Sequence, residues 1–169
     1  MSILSKGDVH YLIGLLPHKN IVMPSIYLFE QWKDIHSYTM KRNVYREYQI
    51  LKHIVKNKIF SIYNYQYQSV FLYMFNLPYD SRTLKVLHSI FCLYHELRHH
   101  EQYTTQKARF LHNLPEPGCY HAAWTEEDAN EFAAEWLLKN RTSINQRFGF
   151  RETSWEIGIL ENRLRVYIS

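Results

Sequence analysis

The stretch His95-Glu96-Leu97-Arg98-His99 sets two imidazoles four residues apart with a carboxylate beside the first. On a helix that spacing is about one turn, so both rings lie on one face. Two imidazoles so placed can hold one Zn²⁺, with Glu96 projecting where it can act as a base toward water. A catalytic zinc takes three protein ligands and leaves one position open, so a third donor has to come from elsewhere. The chain has 10 histidines, and two solvated histidines on a surface helix can share this spacing by chance. The surrounding elements therefore have to be weighed.

Residues 82–103 read as the strongest helix of the chain. Leu84, Leu87, Ile90, Phe91, Tyr94 and Leu97 form a broad apolar stripe that docks on a sheet or another helix, so the histidines sit on an anchored element. Asp80 or Ser81 can cap it, and it can run on to about Phe110. Thr125 opens a second helix, with Asp128 completing an approximate capping box and Ala129, Phe132, Ala133, Trp136 and Leu137 on its apolar face. Between the two, residues 113–124 are a loop rich in turn formers. Upstream, Ser5 caps a short helix over residues 5–16 that Pro17 stops. Ile21 to Gln31 is a strand or an irregular segment around Pro24. Residues 43–57 form a helix with Val44, Tyr48, Leu51, Ile54 and Val55 inward. Tyrosines alternate with Asn64, Gln66 and Gln68 between Phe60 and Phe75, which predicts one or two strands with one wet face. The tail from Gly149 to Ser169 suits a short helix and a closing strand. The fold expected is α+β, a single domain over residues 1–169 with helices packed on a small, mostly antiparallel sheet.

Where is the third ligand? A histidine two turns beyond the motif is excluded, because Gln102 and Thr105 hold the glycine and histidine positions of that longer pattern. Cys92 and His88 lie one and two turns back on the motif helix, but one helix rarely wraps three ligands around an open metal, and both suit packing. The second helix offers Glu126, Glu127 and Asp128 in its first turn, and any of them would complete a His₂-carboxylate set. Asn130, one turn after Glu126, could orient a ligand through a hydrogen bond, and Asp128 could do the same. These acids would also simply complement the positive end of the helix.

His95-Glu96-Leu97-Arg98-His99, followed by Glu126-Glu127-Asp128-Ala129-Asn130-Glu131-Phe132-Ala133, resembles the ImmA/IrrE family of zinc metallopeptidases. That family pairs a His-Glu-x-x-His helix with a later Glu-x-Glu-Ala-Asn-x-Phe-Ala helix. The likeness covers about residues 84–138. It implies a zincin-like His-Glu-x-x-His helix, Zn²⁺ held by His95, His99 and Glu126, and Glu96 as general base. It also implies a protein substrate, in particular a helix-turn-helix repressor of prophage or stress circuits. Arg98 stands where the family has a small residue, Asp128 where it has Glu, and Trp136-Leu137-Leu138-Lys139 lacks a proline. In such a site zinc polarises the scissile carbonyl, while Glu96 moves a proton from water to the leaving amine. His100, Tyr103, Tyr120 and His121 are open candidates for stabilising the oxyanion.

Composition bounds the alternatives. The 169 residues are 46% hydrophobic and 21% charged, globular values without a signature of disorder. Cys92 and Cys119 are too few for a disulfide scaffold, and no leader or apolar run of membrane length is visible, so a cytoplasmic protein is expected. The net charge is +4, with Lys41, Arg42, Arg46, Lys52, Lys56 and Lys58 crowded early. A solvated helix face explains that stripe better than direct nucleic-acid binding by the 41–58 segment, the reading that leaves the histidines incidental. A second rival keeps the fold but works by binding a partner without catalysis, and an Arg98 that crowds the site would favour it.

Overall fold

The computed structural model describes residues 2–17, 22–39, 44–114, 124–150, 155–160 and 163–168. Lys41, Arg42, Cys119, Tyr120 and His121 lie outside the described residues, as does the side chain of Arg46. Seven α-helices and five strands form a mixed α/β arrangement among them.

Helix α1 (Lys6–Gly14) starts where the capping signal predicts: the Ser5 hydroxyl accepts from the Asp8 N–H, and the Asp8 carboxylate accepts from the Ser5 N–H. Strand β1 (Ser25–Phe29) leads into α2 (Trp32–Thr39) and α3 (Val44–Lys56). The tyrosine-rich region resolves into two strands, β2 (Ser61–Asn64) and β3 (Ser69–Tyr73), joined by a turn with Gln68 at φ 46°. Helix α4 (Arg82–Thr105) follows, N-capped by Ser81, and then α5 (Lys107–His112). Helices α6 (Trp124–Lys139) and α7 (Arg141–Phe148) come next, and Gly149 at φ 67° ends the second in a left-handed cap that favours glycine. The tail is a hairpin of β4 (Trp155–Leu160) and β5 (Arg163–Ile168) rather than a helix and a strand.

The main sheet has the order β1–β3–β2. β2 runs antiparallel to β3, with Tyr63 opposite Val70, but β1 runs parallel to it, with Tyr27 opposite Phe71. The sheet is therefore mixed, not mostly antiparallel. The reason is the connection: α2 and α3 carry the chain across from β1, as a parallel pairing requires, and the tight β2–β3 turn then brings it back beside β1.

β3 is the central strand and is covered on both faces, which corrects the expectation of one wet face. Val70 and Leu72 belong to the large core with Leu87, Ile90, Leu93 and Tyr94 of α4. Tyr73 turns the other way, to a second cluster with Phe29, Ile35 of α2 and Ile54 of α3. Stacked Tyr27–Phe71 and Phe29–Tyr73 pairs line that second face. The sequence stripe of α3 is only partly inward. Ile54 is buried, whereas Tyr48 is 60% and Val55 49% exposed, because α2 and the sheet cover just one narrow strip of the helix.

Candidate metal centre

Helix α4 is sandwiched. The sheet covers one side and α6 another, so polar side chains of its last turns, Glu96, His99, His100 and Gln102, are buried along with the apolar stripe. Buried polar groups are costly unless they are paired, so the pairing of each one is informative. Helix α6 packs through Ala129, Ala133 and Leu137, all fully buried at four-residue spacing. Thr125 continues that row, and Glu126, three residues before Ala129, is carried toward α4 beside it.

Donor atoms of three residues converge there. The Nε2 atoms of His95 and His99 lie 3.0 Å apart. Glu126 Oε2 is 3.3 Å from His95 Nε2, and Glu126 Oε1 is 3.3 Å from His99 Nε2. Donors bound to one tetrahedral zinc at about 2.0–2.1 Å stand roughly 3.3–3.4 Å from one another; here each imidazole meets a different oxygen of Glu126 at about that spacing, and one donor atom from each residue lies within 4.8 Å of the others. The donor chemistry fits as well. His99 Nδ1–H donates to Gln102 Oε1 at 2.9 Å, which leaves the Nε2 lone pair aimed at the other two donors. His95 Nδ1 is buried without a hydrogen-bond partner among the described residues.

Electrostatics tell the same story without a cation. Burial pulls His99 toward neutrality, but the hydrogen bond and charge of Glu126, the charge of Glu96 and the Gln102 contact outweigh it and raise its pKa to about 9. Burial pushes Glu126 up, yet the hydrogen bonds and charges of His95 and His99 hold it well below the usual carboxylate range. A centre that draws positive charge this strongly onto a buried ring is one where a metal can replace the proton.

Glu96 sits beside the centre, 5% exposed, and accepts from Ser61 Oγ of β2 at 2.6 Å. That bond occupies Oε1 and fixes the carboxylate on the sheet side of α4. No family model, curated protein or solved structure matches the chain. The likeness described above therefore rests on the residues of α4 and α6 alone.

The other acids of the first turn of α6 part from Glu126. Glu127 is exposed. Asp128 does not cap Thr125; it faces α4 and takes a forked pair from Arg98, Nε to Oδ2 at 2.7 Å and Nη2 to Oδ1 at 2.9 Å. Arg98 spends its third donor on Glu101 at 2.6 Å and lies over the Phe132 ring. The guanidinium thus points along the α4–α6 seam and not among the converging donors. Asn130 is buried one turn after Glu126 and is not part of the group of donors found among the described residues.

The remaining candidates have other employment. His88 shares a hydrogen bond with Tyr79 and packs edge-on against Phe60, and Cys92 is buried below Ser61, its thiol pushed up to about 12 by burial. Neither joins the donor group. His100 donates from Nε2 to Val22 O at 2.7 Å and accepts at Nδ1 from Tyr63, so both nitrogens are engaged in holding β2 and the chain before β1. Tyr103 packs in an aromatic group with Tyr63, Tyr65 and Phe110. Two residues that the sequence did not single out for the site are Ser61 and Gln102. Gln102 carried a signal, a polar amide three residues after a motif histidine; Ser61 carried none, because its contact comes from strand placement.

Proposed function

We propose that the chain is a zinc-dependent endopeptidase in which His95, His99 and Glu126 hold the metal and Glu96 is the general base. One observation carries this reading: donor atoms of three residues from two separate helices converge at 3.0–3.3 Å, with a buried carboxylate anchored beside them. Zinc bound by such a set polarises a peptide carbonyl and draws the pKa of water toward ~7. The chain's own residues do the rest. Ser61 holds Oε1 of Glu96, which leaves Oε2 to take a proton from water and deliver it to the leaving amine. His99 keeps its orientation through Gln102, and Arg98 is neutralised by Asp128 and Glu101 instead of competing for the carboxylates of the centre. That placement removes the reason for favouring a binding protein without catalysis.

The family likeness of the two helices points to a protein substrate, a helix-turn-helix repressor in particular, and the low cysteine count to a cytoplasmic setting. The test compares new protein N-termini in a bacterial proteome, supplemented with a co-expressed repressor, after exposure to zinc-loaded wild type or Glu96→Gln. Wild type should generate a discrete set of cleavages that Glu96→Gln lacks while keeping its zinc and its melting temperature. Equal cleavage by the two proteins would show that Glu96 is not the base.

A further inference from the structure

We propose that Gln102 is a positioning residue that selects the metal-facing nitrogen of His99 and, through the same amide, fixes the first turn of α6 so that Glu126 reaches the centre. The inference rests on the zinc site proposed above and extends it to a residue outside the ligand set.

Gln102 is 1% exposed, so each of its polar atoms needs a partner. Its Nε2 donates to Asp128 Oδ2 at 2.6 Å and to Thr125 O at 3.0 Å. Its Oε1 accepts from His99 Nδ1 at 2.9 Å. The direction of this chain is not free. Arg98 only donates, and its fork makes Asp128 an acceptor. An ionised Asp128 and the Thr125 carbonyl can only accept, so the amide nitrogen must face them and the amide oxygen must face His99. An acceptor at that place requires the proton of His99 on Nδ1. The lone pair of Nε2 is then left to the site, where Glu126 and His95 already point.

The two α6 partners of the amide bracket the third ligand. Thr125 immediately precedes Glu126 and Asp128 lies two residues beyond it. One side chain therefore governs both the ring orientation on α4 and the register of the carboxylate from α6. A flipped amide would set nitrogen against Nδ1–H and oxygen against a carboxylate and a carbonyl, three unfavourable contacts in a buried place.

The experiment measures zinc affinity by chelator competition, together with thermal unfolding of the metal-free protein. Gln102→Met keeps the volume and loses the hydrogen bonds; it should bind zinc ~10- to 100-fold more weakly, the loss expected when a partner that orients a ligand is removed. Wild-type affinity in Gln102→Met would overturn the inference while leaving the proposed site intact. If Gln102→Met does not fold, ¹⁵N spectra of the wild-type imidazoles carry the test. A protonated, slowly exchanging Nδ1 with a metal-bound Nε2 on His99 supports the assignment, and a metal-bound Nδ1 refutes it. A wild-type protein that binds no zinc would remove the proposed function and this inference together.

Discussion

His99 would be neutral if burial acted alone, and the carboxylates of Glu126 and Glu96 reverse that, holding its proton up to about 9. Two opposite pH dependences follow. In the metal-free protein the folded pKa lies above the ordinary value of 6.5, so the stabilising contribution is complete below about 6.5 and is lost as pH rises through about 9. Zinc must displace that proton, so its affinity should rise about tenfold per pH unit toward about 9 and level off above it. Calorimetric melting of the metal-free protein and chelator competition across that range check the two halves. Affinity independent of pH would mean that His99 is not a ligand. At this scale the sequence revealed the pair of imidazoles and the neighbouring carboxylate, because helix periodicity is a local property. It left Glu126, Glu127 and Asp128 undivided, since only the facing helix shows that Arg98 claims Asp128 and that Glu127 points to solvent.

Helices α4 and α6 make the site jointly, and their spacing is set by small residues. Ala129 and Ala133 are fully buried against α4, about one and two turns after Glu126. Ala133→Leu should overpack the seam, cost about 1–3 kcal/mol of stability, and weaken zinc binding by moving Glu126 off the imidazoles. Paired unfolding and affinity measurements on the variant test this; a destabilised protein with unchanged zinc affinity would show that the seam does not position the ligand. Both helices were legible: 82–103 was read against Arg82–Thr105 observed, and a start at Thr125 against Trp124. Ser5, β2 and β3 were equally plain from capping and alternation. Helix α2 was not read, and with it went the cover over the second face of β3, the true inner strip of α3 and the parallel run of β1. Those features depend on which distant segments meet, and no local period encodes that.

The described residues form two apolar clusters on opposite faces of the main sheet, and no helix among them is long and apolar enough to cross a membrane. Its buried polar groups set how it responds to acid. Burial holds His88 neutral down to about 4, below its ordinary 6.5. The unfolded chain therefore takes a proton that the folded one refuses, and about 3 kcal/mol of stability should be lost as pH falls from 6.5 through 4. His88→Phe should flatten that part of the stability curve in denaturant titrations at matched pH, and an unaltered slope would count against it. The claim on which the site, the chemistry and the role of Gln102 all depend is that two imidazoles and one carboxylate share a single zinc. Metal content after zinc loading and exhaustive dialysis tests it most directly. About one zinc per chain in the wild type, with loss of it in His99→Ala and Glu126→Ala, is the expected result; a wild-type chain that retains no zinc, or a Glu126→Ala chain that retains it as tightly, would contradict the account.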